Sequence, residues 1–273
     1  MDIAVLGNDG SWYVNDLIRA GSARGHRVQR IDFRMLTASQ VVGEPPVRVG
    51  DSDLSSMEAV IVRTMPPGSL EQVVYRMDAL AALESAGVVV FNSPRAIECA
   101  VDKYLTGCRL VEAGLPVPAT IVCEDVESAM IAFERLGGDV VVKPIFGAEG
   151  RGIVRVSDPE IAHRTFKTLS RLQAVLYLQA FVNHAGFDVR VLVLDGSVIG
   201  GMKRTNADDF RTNVALQGQA TVHEVTMTEQ TLAIQAAAAT GARFAGVDIL
   251  YDEHQSPFVI EVNAVPGLSL IHI

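Results

Sequence analysis

Three hard oxygen donors stand near one another in the last thirty or so residues of the chain: Asp248, Glu261 and Asn263. They interrupt two apolar runs, Ala245–Tyr251 and Pro257–Val262, which flank the polar turn Asp252–Ser256. Side chains alternate faces along a strand, so Glu261 and Asn263 point the same way. A hairpin folded midway between His254 and Gln255 sets Asp248 opposite Glu261. Oxygens converging on one face are what magnesium takes, with water and phosphate at the remaining positions. Solvated polar residues near a turn are the plainer alternative. The apolar neighbours Val247, Ile249, Val259, Ile260 and Val262 speak against it, because a polar group in such a run is costly to bury unless paired or metal-bound.

A second group is Val140-Val141-Val142-Lys143-Pro144-Ile145-Phe146-Gly147-Ala148-Glu149-Gly150-Arg151-Gly152. An apolar strand delivers a lysine, and Gly147, Gly150 and Gly152 follow it. Glycines let backbone approach a ligand closely, and successive N–H groups cradle anions. Lys143 would add fixed positive charge at a phosphate. A hairpin with a flexible loop and a snorkelling lysine gives the same pattern, and the spacing is not that of a P-loop. A third group is Lys203-Arg204 followed by Phe210-Arg211-Thr212-Asn213. Its donors suit phosphate or carboxylate oxygens, although a solvated face is the commoner origin of such a run. A fourth, Ser93-Pro94-Arg95-Ala96-Ile97-Glu98-Cys99-Ala100-Val101-Asp102-Lys103, puts Lys103 on a helix at a domain junction. Most lysines in such places are surface residues.

Other chemistries find no support. No His-Glu-x-x-His, Gly-x-Ser-x-Gly or Cys-x-x-Cys occurs, and Gly7-Asn8-Asp9-Gly10 lacks the dinucleotide-binding spacing. Cys99, Cys108 and Cys123 are odd in number, which speaks for reduced thiols rather than a disulfide framework. A net charge of −9 and a pI near 5.1 make nucleic acid an unsuitable partner. No apolar run is long enough for a membrane span, and no basic leader precedes Met1-Asp2-Ile3-Ala4-Val5-Leu6. The expectation is a cytoplasmic protein.

The elements that must position these groups follow from hydrophobic periodicity. The chain has 273 residues, 49% hydrophobic and 20% charged, enough for about two domains. Strands are expected at 3–6, 28–33, 59–63 and 88–91, alternating with helical patterns after Gly10 and over Ser69–Ala86. That alternation predicts a parallel sheet in a small α/β domain over residues 1–93. Beyond it, helices are expected over Ala96–Ala113, Val126–Leu136, Pro159–Leu169 and Thr228–Thr240. Strands are expected at Thr120–Val122, Val140–Pro144, Gly152–Val156 and Val175–Phe181, then at Asp188–Leu194 and Val198–Lys203 around the hairpin signal Asp195-Gly196.

Taken in order, these segments resemble the ATP-grasp superfamily, and within it the RimK-type α-L-glutamate ligases that modify ribosomal protein or tetrahydromethanopterin. The resemblance runs from about residue 60 to Gly267. It rests on Asp102-Lys103-Tyr104-Leu105-Thr106, Val142-Lys143-Pro144, Asp188-Val189-Arg190, Phe210-Arg211-Thr212-Asn213, Ala245-Gly246-Val247-Asp248-Ile249-Leu250 and Glu261-Val262-Asn263-Ala264, with Pro266-Gly267 after them. It implies an α/β protein with a small N-terminal domain and a two-lobed ATP-grasp fold over 94–267, the lobes dividing near 185. It further implies that Lys103 and Lys143 contact nucleotide phosphates under the Gly147–Gly152 loop. Gln179, Ala180 and Phe181 would read adenine, and Asp188 would lie near the ribose. Lys203, Arg211, Thr212 and Asn213 would face the phosphates, with Arg211 and Asn213 at the acyl phosphate. Asp248, Glu261 and Asn263 would hold two Mg2+ ions, for which Mn2+ can substitute.

The implied reaction joins an amino acid, glutamate, to a carboxylate or amine acceptor at the expense of ATP. A homo-oligomer is left open. Two departures bear on this reading. Relatives carry a glutamate where this chain has Ala180, and a second glycine where Gln219 follows Gly218. Ala180 and the early end of the chain leave room for an ATP-binding regulatory module without turnover; another ATP-grasp ligase is a second alternative, against which the Phe210-Arg211-Thr212-Asn213 segment and the short N-terminal domain speak. Leu268-Ser269-Leu270-Ile271-His272-Ile273 reads like a translated sequencing adapter, so the expectation is a gene fragment with a non-native tail after Gly267.

Overall fold

A computed structural model describes residues 1–147, 152–206, 209, 211 and 219–267, and divides the chain into two units. The first comprises Met1–Glu98 with two short returns of chain, Gly241–Phe244 and 264–267. Its β-branched runs form β1 (Asp2–Leu6), β2 (Arg27–Ile31), β6 (Ala59–Val62) and β7 (Val89–Phe91), all parallel in the order β2-β1-β6-β7. Helices α1 (Trp12–Ser22) and α2 (Leu70–Ser85) connect them. The start of α2 is set by Ser69 and Gln72, which satisfy each other's backbone N–H groups. A small antiparallel sheet of β3 (Leu36–Ala38), β4 (Val47–Val49) and β5 (Ser52–Asp53) had no clear sequence signal, being three short strands.

The expected helix over Ala96–Ala113 is two helices, α3 (Pro94–Val101) and α4 (Lys103–Glu112). Asp102 breaks them. Its side chain accepts from the N–H groups of Tyr104 and Leu105, both at 2.9 Å, an N-cap in place of helix interior. Lys103 is therefore the first residue of a helix rather than the middle of one.

The second unit, Cys99–Thr240 with Ala245–Asn263, holds two sheets. The first is antiparallel, in the order β10 (Val154–Val156), β9 (Val140–Lys143), β11 (Leu176–Ala180), β8 (Thr120–Cys123). Strand alternation divides its residues. Val140, Val142, Leu176 and Leu178 pack beneath α5 (Val126–Arg135) and α6 (Pro159–Arg171), against Phe133 and Phe166. Val141, Lys143, Tyr177 and Gln179 take the other face. The second sheet runs β14 (Gln219–Val222), β13 (Ser197–Thr205), β12 (Phe187–Leu194), β15 (Phe244–Tyr251), β16 (Pro257–Asn263). It carries α7 (Met227–Thr240) against β12, β13 and β16.

Candidate functional site

The free face of the first sheet and one face of the second line a common cavity. From the first sheet come Lys143, Gln179 and Ala180; from the second come Asp188, Arg204, Asp248 and Glu261; Lys103, Gly147, Phe181 and Arg211 complete that set. A second cavity of about 520 Å³ adjoins it and shares Lys103, Gln179 and Glu261.

Lys143 ends β9 and donates to Gln179 Oε1 at 2.6 Å. Burial pushes its amino group down to about 8, against the pull of Glu261 and Asp248, and Lys103 adds to the depression. Lys103 donates to the carbonyl of Gly147 at 2.8 Å. Burial lowers its amino group too, opposed by Glu261 and Asp102. Two depressed cations are thus held in one cavity, at the mouth of the glycine-rich segment. Gly152 has φ +73°, a backbone conformation that an L side chain rarely adopts. Gly150 lies outside the described residues. The N–H groups of Ala180 and Phe181 donate to Ala119 O and Asp139 O at 2.8 and 3.0 Å. Phe181 is covered by Arg155, whose guanidinium is 3.5 Å from the ring centroid and pairs with Asp139.

The acidic groups behave differently from one another. Asp248 and Glu261 face each other across β15 and β16, as expected, but by another route. The turn is centred one half-residue earlier, pairing Tyr251 with Pro257 and Ile249 with Val259, and a bulge at Ile260 then restores Asp248 opposite Glu261. Bulges of this kind re-aim side chains, and here Ile260 and Glu261 both line the cavity. Glu261 has no ion pair or hydrogen bond among the described residues. Both oxygens of Asp248 are engaged: Arg190 donates to them at 2.6 and 2.7 Å, and Arg204 reaches Oδ2 at 2.9 Å. Arg204 also grips Asp188 through Nε at 2.7 Å and through Nη2. Asp188, Arg204 and Asp248 are all 3% exposed or less. Burial opposes the charge on Asp248, yet Arg190 and Arg204 hold it below the usual carboxylate range. Burial likewise opposes the charge on Arg204, and Asp248 and Asp188 raise it above its ordinary value.

Arg190 has no role in the sequence analysis, and Arg204 is expected there, with Lys203, to meet phosphate or carboxylate oxygens; the structure pairs both arginines with the chain's own carboxylates. Strand parity separates Lys203 from Arg204. Arg204 is opposite Asp188 and Lys203 is opposite Val189, so Lys203 takes the other face, with Nζ 3.9 Å from the Phe187 ring centroid. Lys203 is not brought to the cavity; Arg204 stands there instead. Arg211 lines the cavity and is paired with Asp209 at 2.5 Å. Thr212 and Asn213 lie outside the described residues. Asn263 sits opposite Gly246, to whose carbonyl its amide donates at 3.5 Å.

Residues 100–273 match the family model described as the RimK-like ATP-grasp domain, and residues 1–97 match the RimK PreATP-grasp domain. The chain belongs to the RimK-like ATP-grasp family. Among RimK-like relatives, the tetrahydromethanopterin:alpha-L-glutamate ligase of Methanosarcina acetivorans is 36% identical over 255 residues, spanning 88% of this chain and 78% of that protein. A crystal structure of a RimK-domain ATP-grasp protein from Sphaerobacter thermophilus superimposes with a TM-score of 0.77 at 24% identity, covering 100% of this chain and 94% of that one. The ATP-grasp ligase PsnB, complexed with a minimal precursor, gives 0.77 at 24% identity over 97% and 91%. These likenesses establish the RimK-like fold, and the expected α/β architecture with an N-terminal pre-ATP-grasp domain holds. The protein is an ATP-grasp ligase by family. Among the described residues, no helix is long and apolar enough to cross a membrane.

Proposed function

We propose that the protein is an ATP-dependent carboxylate–amine ligase that adds glutamate to a cofactor, peptide or protein acceptor. The observation that carries this reading is a single cavity holding two half-buried lysines beside a carboxylate that has no hydrogen bond or ion pair among the described residues. ATP is the phosphoryl donor. Its γ-phosphoryl passes to a substrate carboxylate, giving ADP and an acyl phosphate; the amine then attacks the acyl carbon, and phosphate leaves with the electron pair of the broken C–O bond. Lys143 and Lys103 supply charge at the phosphates, and Lys103 also ties the glycine-rich segment through Gly147 O. Arg211 stands ready for the transferred phosphoryl group. Phe181, held under Arg155, borders the base. Preorganised charge of this kind is where such enzymes gain most of their rate.

Magnesium fits the donor set in part. The carboxylate of Glu261 and the amide oxygen of Asn263 are hard oxygens on one strand face. Asp248 would add the second lone pair of Oδ1, which accepts from Arg190 Nε, while its Oδ2 is taken by Arg190 and Arg204. A bound Mg2+ would neutralise phosphate charge; a second ion, and Mn2+ in its place, belong to the same proposal.

The test is release of ADP and phosphate over a panel of amino acids and acceptors. ADP formed only when both a carboxylate and an amine substrate are present supports the ligase. Nucleotide binding without turnover on any pair would favour a regulatory module instead.

A further inference from the structure

The lysine at the end of β9 is held by an amide, not by a carboxylate. Lys143 is half-buried, and among the described residues its ammonium has one hydrogen-bond acceptor, Gln179 Oε1 at 2.6 Å. Gln179 itself is 6% exposed. Its amide nitrogen donates to Thr120 Oγ1 at 3.1 Å and to the Tyr177 hydroxyl at 3.4 Å. Thr120 Oγ1 in turn donates to the carbonyl of Pro118 at 2.9 Å. An ammonium can only donate, and a glutamine amide has a single oxygen. Oε1 must therefore face Lys143, and the amide hydrogens must face the two hydroxyls. The orientation of the amide is fixed from both ends.

Three neighbouring strands of one sheet deliver these groups. Gln179 on β11 stands opposite Thr120 on β8 and opposite Val141 on β9, and Tyr177 stands opposite Lys143. Lys143 and Gln179 are therefore diagonal neighbours on one face, a spacing that long side chains can bridge. The chain of bonds from Pro118 to Lys143 holds no charged group besides Lys143. A carboxylate in place of the amide would cancel the charge of the ammonium. The amide fixes its position and leaves the charge for a ligand in the cavity. Glu261 and Asp248 act on Lys143 through space, with no hydrogen bond or ion pair to it among the described residues. Holding a lysine side chain in place before a ligand arrives also removes part of the ordering cost of binding. The amide has little left to offer a nucleobase, because both its hydrogens and one of its two lone pairs are used.

We infer that Gln179 is a positioning residue, which holds the Lys143 ammonium at the nucleotide phosphates with its charge uncancelled and does not read the base. This role rests on the ligase reading above, since it needs a nucleotide in the cavity. For the Gln179 side chain it takes the place of the base contact that the resemblance implies. Ala180 and Phe181 remain as the segment beside the base.

The test is calorimetric titration of the full chain with ATP and with ITP, which share their phosphates and differ in the amino or oxo group of the base. Gln179→Met should weaken ATP binding about tenfold. It should weaken ITP binding equally, so that the preference between the two stays within about twofold of the wild type. Gln179→Glu, which cancels the charge of the ammonium, should weaken ATP binding by at least as much. In a Lys143→Ala background, Gln179→Met should bring less than about a twofold further loss. A general defect in the sheet would carry through in that background. A changed preference between ATP and ITP in Gln179→Met overturns the proposal, because it returns Gln179 to the base. So does the full tenfold loss in the Lys143→Ala background, or wild-type ATP affinity in both single variants. If Gln179→Met proves unstable, Gln179→Glu decides, since the Tyr177 hydroxyl can turn to donate to the new carboxylate; wild-type ATP affinity there removes the role. No ATP binding by the wild type would end the ligase reading and this role together, whereas ATP binding that neither variant alters ends this role alone.

Discussion

Lys143 shows how a strand position becomes a chemical group. Burial holds its amino group at about 8, below the ordinary 10.5. Between those values the unfolded chain binds a proton that the folded one lacks, so stability rises with pH through this window. The cost of charging Lys143 is fully present below about pH 8 and vanishes above the ordinary lysine value. A phosphate bound beside it favours the charged form. Nucleotide binding at about pH 9 should therefore take up more proton in the wild type than in Lys143→Ala, where Lys103 alone remains depressed. Calorimetry in buffers of differing ionisation enthalpy reads this directly; equal uptake in both proteins would remove Lys143 from the site. The same variant should weaken ATP binding by about 1.5–3 kcal/mol, as for a lost hydrogen bond to a charged group. The two acidic residues should part company. Asp248→Asn leaves Arg190 and Arg204 short of countercharge in a buried place, and is expected to lower unfolding stability by about 3–5 kcal/mol. Glu261→Gln removes a charge that has no hydrogen bond or ion pair among the described residues and acts on Lys103 and Lys143 only through space, so urea melts should shift little while ADP release stops. Near-normal turnover in Glu261→Gln would end the magnesium assignment.

At the scale of elements, β13 and β14 flank the segment that carries Arg211 and Asn213. Their return towards α7 is packed closely. A Cβ built on Gly201 would lie 2.5 Å from Val225 Cγ2 and 3.1 Å from His223 O. Just beyond, buried Glu229 accepts from Thr226 N at 2.8 Å, from His223 Nε2 at 2.9 Å and from Tyr251 OH at 3.0 Å. Gly201→Ala should cost about 1–3 kcal/mol, the usual scale of overpacking. Adding Val225→Ala should return part of that, and a strictly additive double mutant in denaturant melts would show that the contact is not the cause. Element boundaries were only partly legible. The capping potential of Asp102 was present in its residue type, but an apolar pattern running across it read as one helix. The bulge at Ile260 had no local signal, because Phe258-Val259-Ile260 is as good a strand without it.

At the scale of the molecule, the first unit is closed by chain that arrives very late. Asn92, 1% exposed, donates to the carbonyls of Phe244 and Ala264, both at 2.6 Å, and accepts from the N–H groups of Arg243 and Phe244, both at 2.9 Å. One amide thus satisfies four backbone groups up to 172 positions away. Asn92→Ala strands them, and should lower stability by more than about 3 kcal/mol. Asn92→Asp should also be poorly tolerated, since it loses both donated bonds; a melt within about 1 kcal/mol of wild type for either variant would deny Asn92 this role. The amino-acid sequence by itself determined which residues share a strand face, because a period of two needs no partner strand. It therefore carried Glu261 with Asn263, while the alternation of strand and helix patterns carried the parallel first sheet. Only the tertiary structure decided which charges meet. Asp188, Arg190, Arg204 and Asp248 come from three strands, and their pairing depends on strand order and register, which are set by packing across the whole sheet. The same holds for Asn92, whose partners lie far along the chain and are chosen by where the chain returns.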